Sequence, residues 1–162
     1  MADDSDQLKR LEQRLDRLEA KEAIKELRYE YCYAVDTFDE ERFLSLFTTD
    51  ATVEFKEPHS SKYERQEELR SFFRAIEENR RFLAHLVHNP IIEVEGETAT
   101  GTWYYEVPTV DSNGEAFWLQ GRYDEQYRFV AGNWKFDRIE ASYAYEAPYD
   151  HGWADYLIQD TE

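Results

Sequence analysis

The stretch Phe117-Trp-Leu-Gln-Gly-Arg-Tyr-Asp-Glu-Gln-Tyr-Arg-Phe129 decides the fold. Phe117, Leu119, Gly121, Tyr123, Tyr127 and Phe129 fall on one face of an extended chain, and Gln120, Arg122, Asp124, Gln126 and Arg128 on the other, so one face is buried. Turn signals bound it at Ser112-Asn113-Gly114 and Ala131-Gly132-Asn133, and Glu95-Gly96 marks an earlier turn. From Phe82 to about residue 145 this predicts four extended segments in an antiparallel meander. In the last segment Trp134 and Phe136 have one parity and Ile139, Ala141 and Tyr143 the other, which predicts a bulge and a curved sheet.

Upstream the period changes. Leu8, Leu11, Leu15, Leu18, Ile24, Leu27 and Tyr31 predict a helix over about 7–36, capped by Asp4 or Ser5, with a solvated outer face of Glu, Lys and Arg. Its first part is heptad-like, but two heptads are too few to identify a coiled coil. A short helix over 40–47, a strand over 50–55 and a helix over 64–80 follow. Helices first and a curved antiparallel sheet afterwards define an α+β fold with the helices packed on the sheet. There is no linker, repeat or low-complexity tract, so residues 1–162 read as a single domain. The tail 146–162 stands outside this scheme. Trp153, Tyr156, Leu157 and Ile158 would be costly to expose, so the tail is expected to fold back over the cavity mouth or a neighbouring subunit.

Composition removes several classes of function. In 162 residues, 36 Asp and Glu face 19 Lys and Arg, for a net charge of −17. That charge repels phosphate backbones and anionic lipid, so neither nucleic acid nor membrane is an expected partner. Cys32 is the single cysteine and cannot form an internal disulfide; together with the acidic N-terminus it points to a cytoplasmic protein. An acidic surface with 13 Arg and only 6 Lys fits a salt-rich cytosol as well as an ordinary acidic enzyme. Rings make up 16% of the chain, more than its core requires, which suggests an aromatic-lined cavity.

The residues Ala23-Ile-Lys-Glu-Leu27, Tyr31 with Ala34-Val-Asp36, Leu46-Phe-Thr-Thr-Asp50-Ala, His85-Leu-Val-His88-Asn89, Ala99-Thr-Gly101-Thr-Trp103-Tyr104 and Gly121-Arg-Tyr123 through Asn133-Trp-Lys-Phe136 carry a resemblance over most of the chain. It resembles the SnoaL-like, or nuclear-transport-factor-2-like, superfamily with its cone-shaped, cystatin-like fold. Scytalone dehydratase, a hexachlorocyclohexane dehydrochlorinase and the bile-acid 7α-dehydratase belong there. The fold also hosts isomerases, cyclases and binding proteins, so it does not fix an activity.

The resemblance implies a His–Asp dyad at His85 and Asp36. Both lie in apolar stretches, where a carboxylate needs a partner, and an imidazole can take up a proton while the carboxylate sets its tautomer. Read alone, His85 fits a core histidine and Asp36 a helix-end hydrogen bond. Tyr31, five residues before Asp36, matches a tyrosine that polarises a substrate carbonyl. Five helical steps turn about 140°, however, so Tyr31 and Asp36 share a cavity only if it wraps around the helix. The bile-acid enzyme's further acidic residue, second tyrosine and arginine correspond to Val107, Phe55 and Tyr143 or Ala144, which implies a different substrate. His88 is expected opposite His85 unless Pro90 distorts the strand.

The expected activity is a cofactor-free lyase or isomerase of dehydratase or cyclase type, with His85 as base, Asp36 orienting it and Tyr31 on the oxyanion. The substrate would be small, partly apolar and cyclic, in a pocket lined by Phe55, Trp103, Tyr105, Val107, Trp118, Tyr123 and Tyr143. The rival is a binding or assembly module of the same fold. No zinc or di-iron spacing is present, so no metal is expected. The resemblance implies a homo-oligomer, a trimer ahead of a dimer.

Overall fold

The computed structural model describes residues 4–158. Helix α1 (Asp4–Asp36) is followed by α2 (Glu40–Ser45), β1 (Phe47–Phe55), β2 (Ser61–Glu64), α3 (Arg65–Asn79) and five further strands. These are β3 (Arg80–Leu83), β4 (Leu86–Glu95), β5 (Thr98–Asp111), β6 (Ala116–Val130) and β7 (Asn133–Pro148), with a 3-10 turn at Trp153–Asp155. The sheet order is β2-β1-β7-β6-β5-β3, with β4 also on β5. The meander β4 to β7 is antiparallel throughout, and β1 runs parallel to β7. The fold is α+β with a strongly curved sheet.

The diagnostic stretch lies within β6 and is paired on both sides. Gly121, Tyr123 and Tyr127 are buried along its inward face, as their parity predicts, and Glu125 is buried with them. Curvature comes from two irregularities on β7. Gln126 pairs with Arg138 but Tyr127 with Phe136, so Asp137 is extra; Ala144 is likewise extra between Tyr143 and Tyr145. The first is the bulge that the parity change between Phe136 and Ile139 requires. Gly121 serves a close approach: the Tyr105 hydroxyl passes over it to donate to the Ser142 carbonyl at 3.0 Å, and a Cβ there would lie 1.9 Å from that carbonyl.

The extended segment expected from Phe82 onward is interrupted at Ala84-His85, although Leu83↔Thr109 and Leu86↔Glu106 keep one register. Pro108 explains the gap. Ala84 donates to the Pro108 carbonyl at 3.1 Å, but proline returns no N–H, so the rung is half made. His85, next in the alternation, turns its N–H away from β5 toward the open edge of the sheet.

Only the second half of α1 belongs to the core. Ile24, Leu27, Tyr31 and Val35 are buried with Phe43, Phe47, Phe73, Trp103 and Phe136, and burying each large aliphatic or Phe side chain contributes roughly 1.5–3 kcal/mol. The first half, Asp4 to Glu19, is exposed along its whole length. The tail folds back on β7: Leu157 bridges to Tyr145, Ile158 donates to the Ala144 carbonyl at 2.9 Å, and Trp153 stacks on Tyr145. Trp153 and Leu157 nevertheless stay 56% exposed. Residues 159–162 of the expected tail lie outside the described residues.

Candidate active site

Asp36 is the last residue of α1, and it meets the outer edge of the sheet, on the side of His85 that faces away from β5. Its carboxylate accepts the His85 backbone N–H at 2.9 and 3.1 Å and lies 2.6 Å from His85 Nδ1. With Nδ1–H donated to Asp36, Nε2 keeps its lone pair. The triple contact fixes the main chain and the ring of His85 together, which a side-chain bond alone would not do.

His85 reaches into a cavity of about 480 Å³. Tyr31, Val35, Phe55, Tyr63, Phe72, Leu119, Tyr123 and Tyr143 supply most of its wall, and a recess of about 90 Å³ continues it to Tyr105, Val107 and Thr109. Asp36 stands behind His85, outside the lining. The 140° between Tyr31 and Asp36 is thereby accommodated, because His85 and not Asp36 shares the cavity with Tyr31. The Tyr31 ring meets His85 edge-on, centroids 6.1 Å apart. Burial, opposed by the charge of Arg28, pushes the Tyr31 phenol up to about 12.

Of the seven expected lining residues, Phe55, Tyr105, Val107, Tyr123 and Tyr143 border the cavity or its recess. Trp103 and Trp118 do not. Trp103 has the inward parity but lies at the end of β5 that α1 seals; it is fully buried and donates through Nε1 to the Tyr127 hydroxyl at 2.9 Å. Trp118 has the outward parity, is 39% exposed and stacks on Tyr149. His88 points away from the cavity with its imidazole 3.6 Å from Glu106; the distortion at Asn89-Pro90 begins only after it.

Three features escaped the sequence. His59, in the β1–β2 loop, lines the cavity with Nε2 2.6 Å from a Glu146 carboxylate oxygen and its ring beside Tyr143. Flanked by Pro58 and two serines, it reads only as part of a turn. Arg80 brings a cation to the same wall from the end of α3; the helical period there conceals that β3 starts at this residue.

The third feature lies beneath the floor. Arg28 and Glu125 are both fully buried, 3.3 Å apart. The guanidinium sits 3.8 Å from the centre of the Tyr123 ring and 4.3 Å from that of Tyr31, and none of its nitrogens has a hydrogen-bond partner, so its charge is spent on the ring faces and the carboxylate. Burial pushes the Glu125 carboxyl above its ordinary value, opposed by Arg28 and by the Tyr127 hydroxyl that it accepts. Burial acts to lower Arg28, but the charge of Glu125 overcomes it and keeps the cation protonated. The inward parity of Glu125 was the available signal: a carboxylate at a core position demands a partner.

Among the described residues, no group of three His, Cys, Asp or Glu side chains is placed to hold a metal. No helix among them is long and apolar enough to cross a membrane.

This architecture is that of a SnoaL-like domain. The family's pattern matches residues 16–140, and the chain belongs to the SnoaL-like family. No protein of curated function matches the chain. Among solved structures, a candidate aromatic-ring hydroxylase from Novosphingobium aromaticivorans is 28% identical over 81% of this chain and 94% of its own, with a TM-score of 0.77. A candidate scytalone dehydratase from the same species is 22% identical over 90% of this chain and 97% of its own, TM-score 0.77. Hexachlorocyclohexane dehydrochlorinase LinA-type3 from Novosphingobium barchaimii is 20% identical over 90% of this chain and 98% of its own, TM-score 0.76. At such identities the last two show the shared fold.

Proposed function

We propose that this protein is a lyase or isomerase that removes a proton from a small, partly apolar cyclic substrate without a cofactor. The observation that carries this reading is His85 held at both Nδ1 and its backbone N–H by Asp36, while its ring enters an aromatic cavity. Names among the structural neighbours point to more than one reaction, so the reading rests on this geometry. A dehydration beside a carbonyl, the type of reaction named for one neighbour, needs a base, a group for the developing oxyanion and a proton for the departing hydroxide, whereas a dehydrochlorination, named for another, needs the base and room for chloride to leave as an anion. His85 Nε2 takes the proton, and Asp36 stabilises the imidazolium formed. Tyr31, with Arg80 on the same wall, faces the negative charge as it develops. His59, backed by Glu146, is placed to return a proton to the departing group.

The test is a thermal-shift screen of steroids, terpenoids, hydroxy-aromatics and chlorinated rings, followed by mass analysis for loss of water or hydrogen chloride, or for isomerisation. A ligand at 100 times its dissociation constant adds about 2.7 kcal/mol and is readily seen. Ligands that bind but are never converted would establish the rival reading, a binding module in which the dyad is a structural hydrogen bond.

A further inference from the structure

The first half of α1 presents an apolar stripe that its own domain leaves uncovered. Leu8, Leu11, Leu15 and Leu18 are 58, 51, 55 and 61% exposed. A helix turns about 100° per residue, which places these four on the side of α1 opposite Ile24, Leu27, Tyr31 and Val35, the side buried in the domain. They are spaced three and four apart, as the a and d positions of a heptad. Between and beside them stand only polar and charged residues, so the stripe has the narrow width of a coiled-coil seam rather than the broad face of a core helix.

The flanking charges select the partner and its direction. With leucines at a and d, Arg14 and Lys21 fall at g, and Glu12, Glu19 and Glu26 at e. In a parallel, in-register pair, each g residue meets the e residue five positions further along the other helix. Arg14 then faces Glu19 and Lys21 faces Glu26, in both directions across the seam, and Gln7 faces Glu12. An antiparallel pair would set glutamate against glutamate and cation against cation. We infer that a second copy of this chain docks here, α1 against α1, parallel and in register, with the two cavities facing outward on opposite sides.

Two heptads are marginal as free peptides because helix nucleation is costly. Here the packed half of α1 has already met that cost, so the exposed half needs only to extend. Glu22 and Lys25, which pair with each other at 2.6 Å within the chain, take the next a and d positions, so the apolar part of the seam ends after Leu18 and the Lys21–Glu26 pairs flank its polar last turn.

Analytical ultracentrifugation of the full chain between about 1 and 100 μM is expected to show a concentration-dependent rise to the mass of two chains. Leu11→Asp with Leu18→Asp should weaken association at least tenfold, with the circular dichroism of the domain retained. Register is tested without touching a leucine: R14E/K21E alone and E19K/E26K alone should each be monomeric, and an equimolar mixture should regain the two-chain mass. A wild-type chain that stays monomeric overturns the inference, as do a mass of three chains and leucine variants that associate normally. Charge variants that fail to complement one another overturn the parallel register.

Discussion

Two carboxylates in this protein each meet a nitrogen side chain, one at the sheet edge and one on α1, and their surroundings are opposite. Asp36 meets His85 at the outer edge of the sheet; the pair is partly accessible, and its imidazole borders a cavity. Glu125 meets Arg28 between α1 and β6, where both are sealed from water. The first pair is open to the cavity and in part to solvent. The second is closed to water, with the Arg28 guanidinium against the Tyr31 and Tyr123 rings. Exposure separates the pair on which the proposed proton transfer rests from one that shapes the floor beneath the cavity.

The comparison breaks most visibly at the dyad. For any substrate the screen identifies, His85→Ala is expected to lower turnover by about 10²–10⁴-fold, the usual contribution of a positioned general base. Asp36→Asn should cost somewhat less, and the double variant scarcely more than His85→Ala, because the two act as one unit. Circular dichroism should show all three folded. Losses that simply add in the double-mutant cycle would assign the pair a structural role.

The sealed pair should fail in stability instead. Glu125→Gln keeps the partner of the Tyr127 hydroxyl but leaves Arg28 uncompensated, and breaking a buried pair costs about 3–5 kcal/mol. At roughly 2–4 °C per kcal/mol for a chain of this size, the melting temperature should fall by about 6–20 °C. Arg28→Met combined with Glu125→Gln should recover most of that loss, since no unpaired charge remains. A double variant as unstable as the single would show that packing, and not charge pairing, holds the floor.

Alkali sharpens the same contrast. Burial raises Tyr31 from 10.0 to about 12 and Cys32 from 9.0 to about 11, and Tyr123 and Tyr127 are raised as well. Between about pH 9 and pH 12 the unfolded chain therefore releases protons that the folded chain retains, so stability is full below this window and falls as pH rises through it. Chemical denaturation at pH 8, 9.5 and 11 should show a monotonic loss; a flat profile would mean that these rings are hydrated in the native state.

The smallest expected effect concerns the outer charge. At −17 the surface repels itself, and raising potassium chloride from 0.1 to 1 M shortens the screening length from about 10 to about 3 Å. The melting temperature should rise by a few degrees in the wild type. The deficit of Glu125→Gln relative to it should stay constant, because bulk ions do not reach a sealed pair. A melting temperature indifferent to salt would remove the support for a salt-adapted surface.

The order of elements was legible because helical and strand periods and turn residues act locally. The bulge in β7 was legible too, since a change of parity within one strand admits no other pleat. Boundaries slipped where long-range pairing decides them: β2 forms only against β1, and the break before β4 comes from a proline on the facing strand. The same reason governs the site. Asp36 and His85 stood out as polar residues in apolar runs, whereas His59 and Arg80 sit in segments whose local pattern is ordinary.

By itself, then, the sequence determined an α+β chain, a curved sheet and its inward face, because alternation is a property of neighbours along the chain; the pairing of Asp36 with His85 was implied by the family resemblance, since each residue read alone fits a structural role as well. Only the tertiary structure decided that Trp103 seals the core while Tyr105 and Val107 reach the recess, that Trp118 faces outward, and that Arg28 neutralises Glu125. Parity says which side of a sheet a residue faces but not how far along the strand the covering helix extends. Where α1 lies across the sheet divides packed core from open cavity.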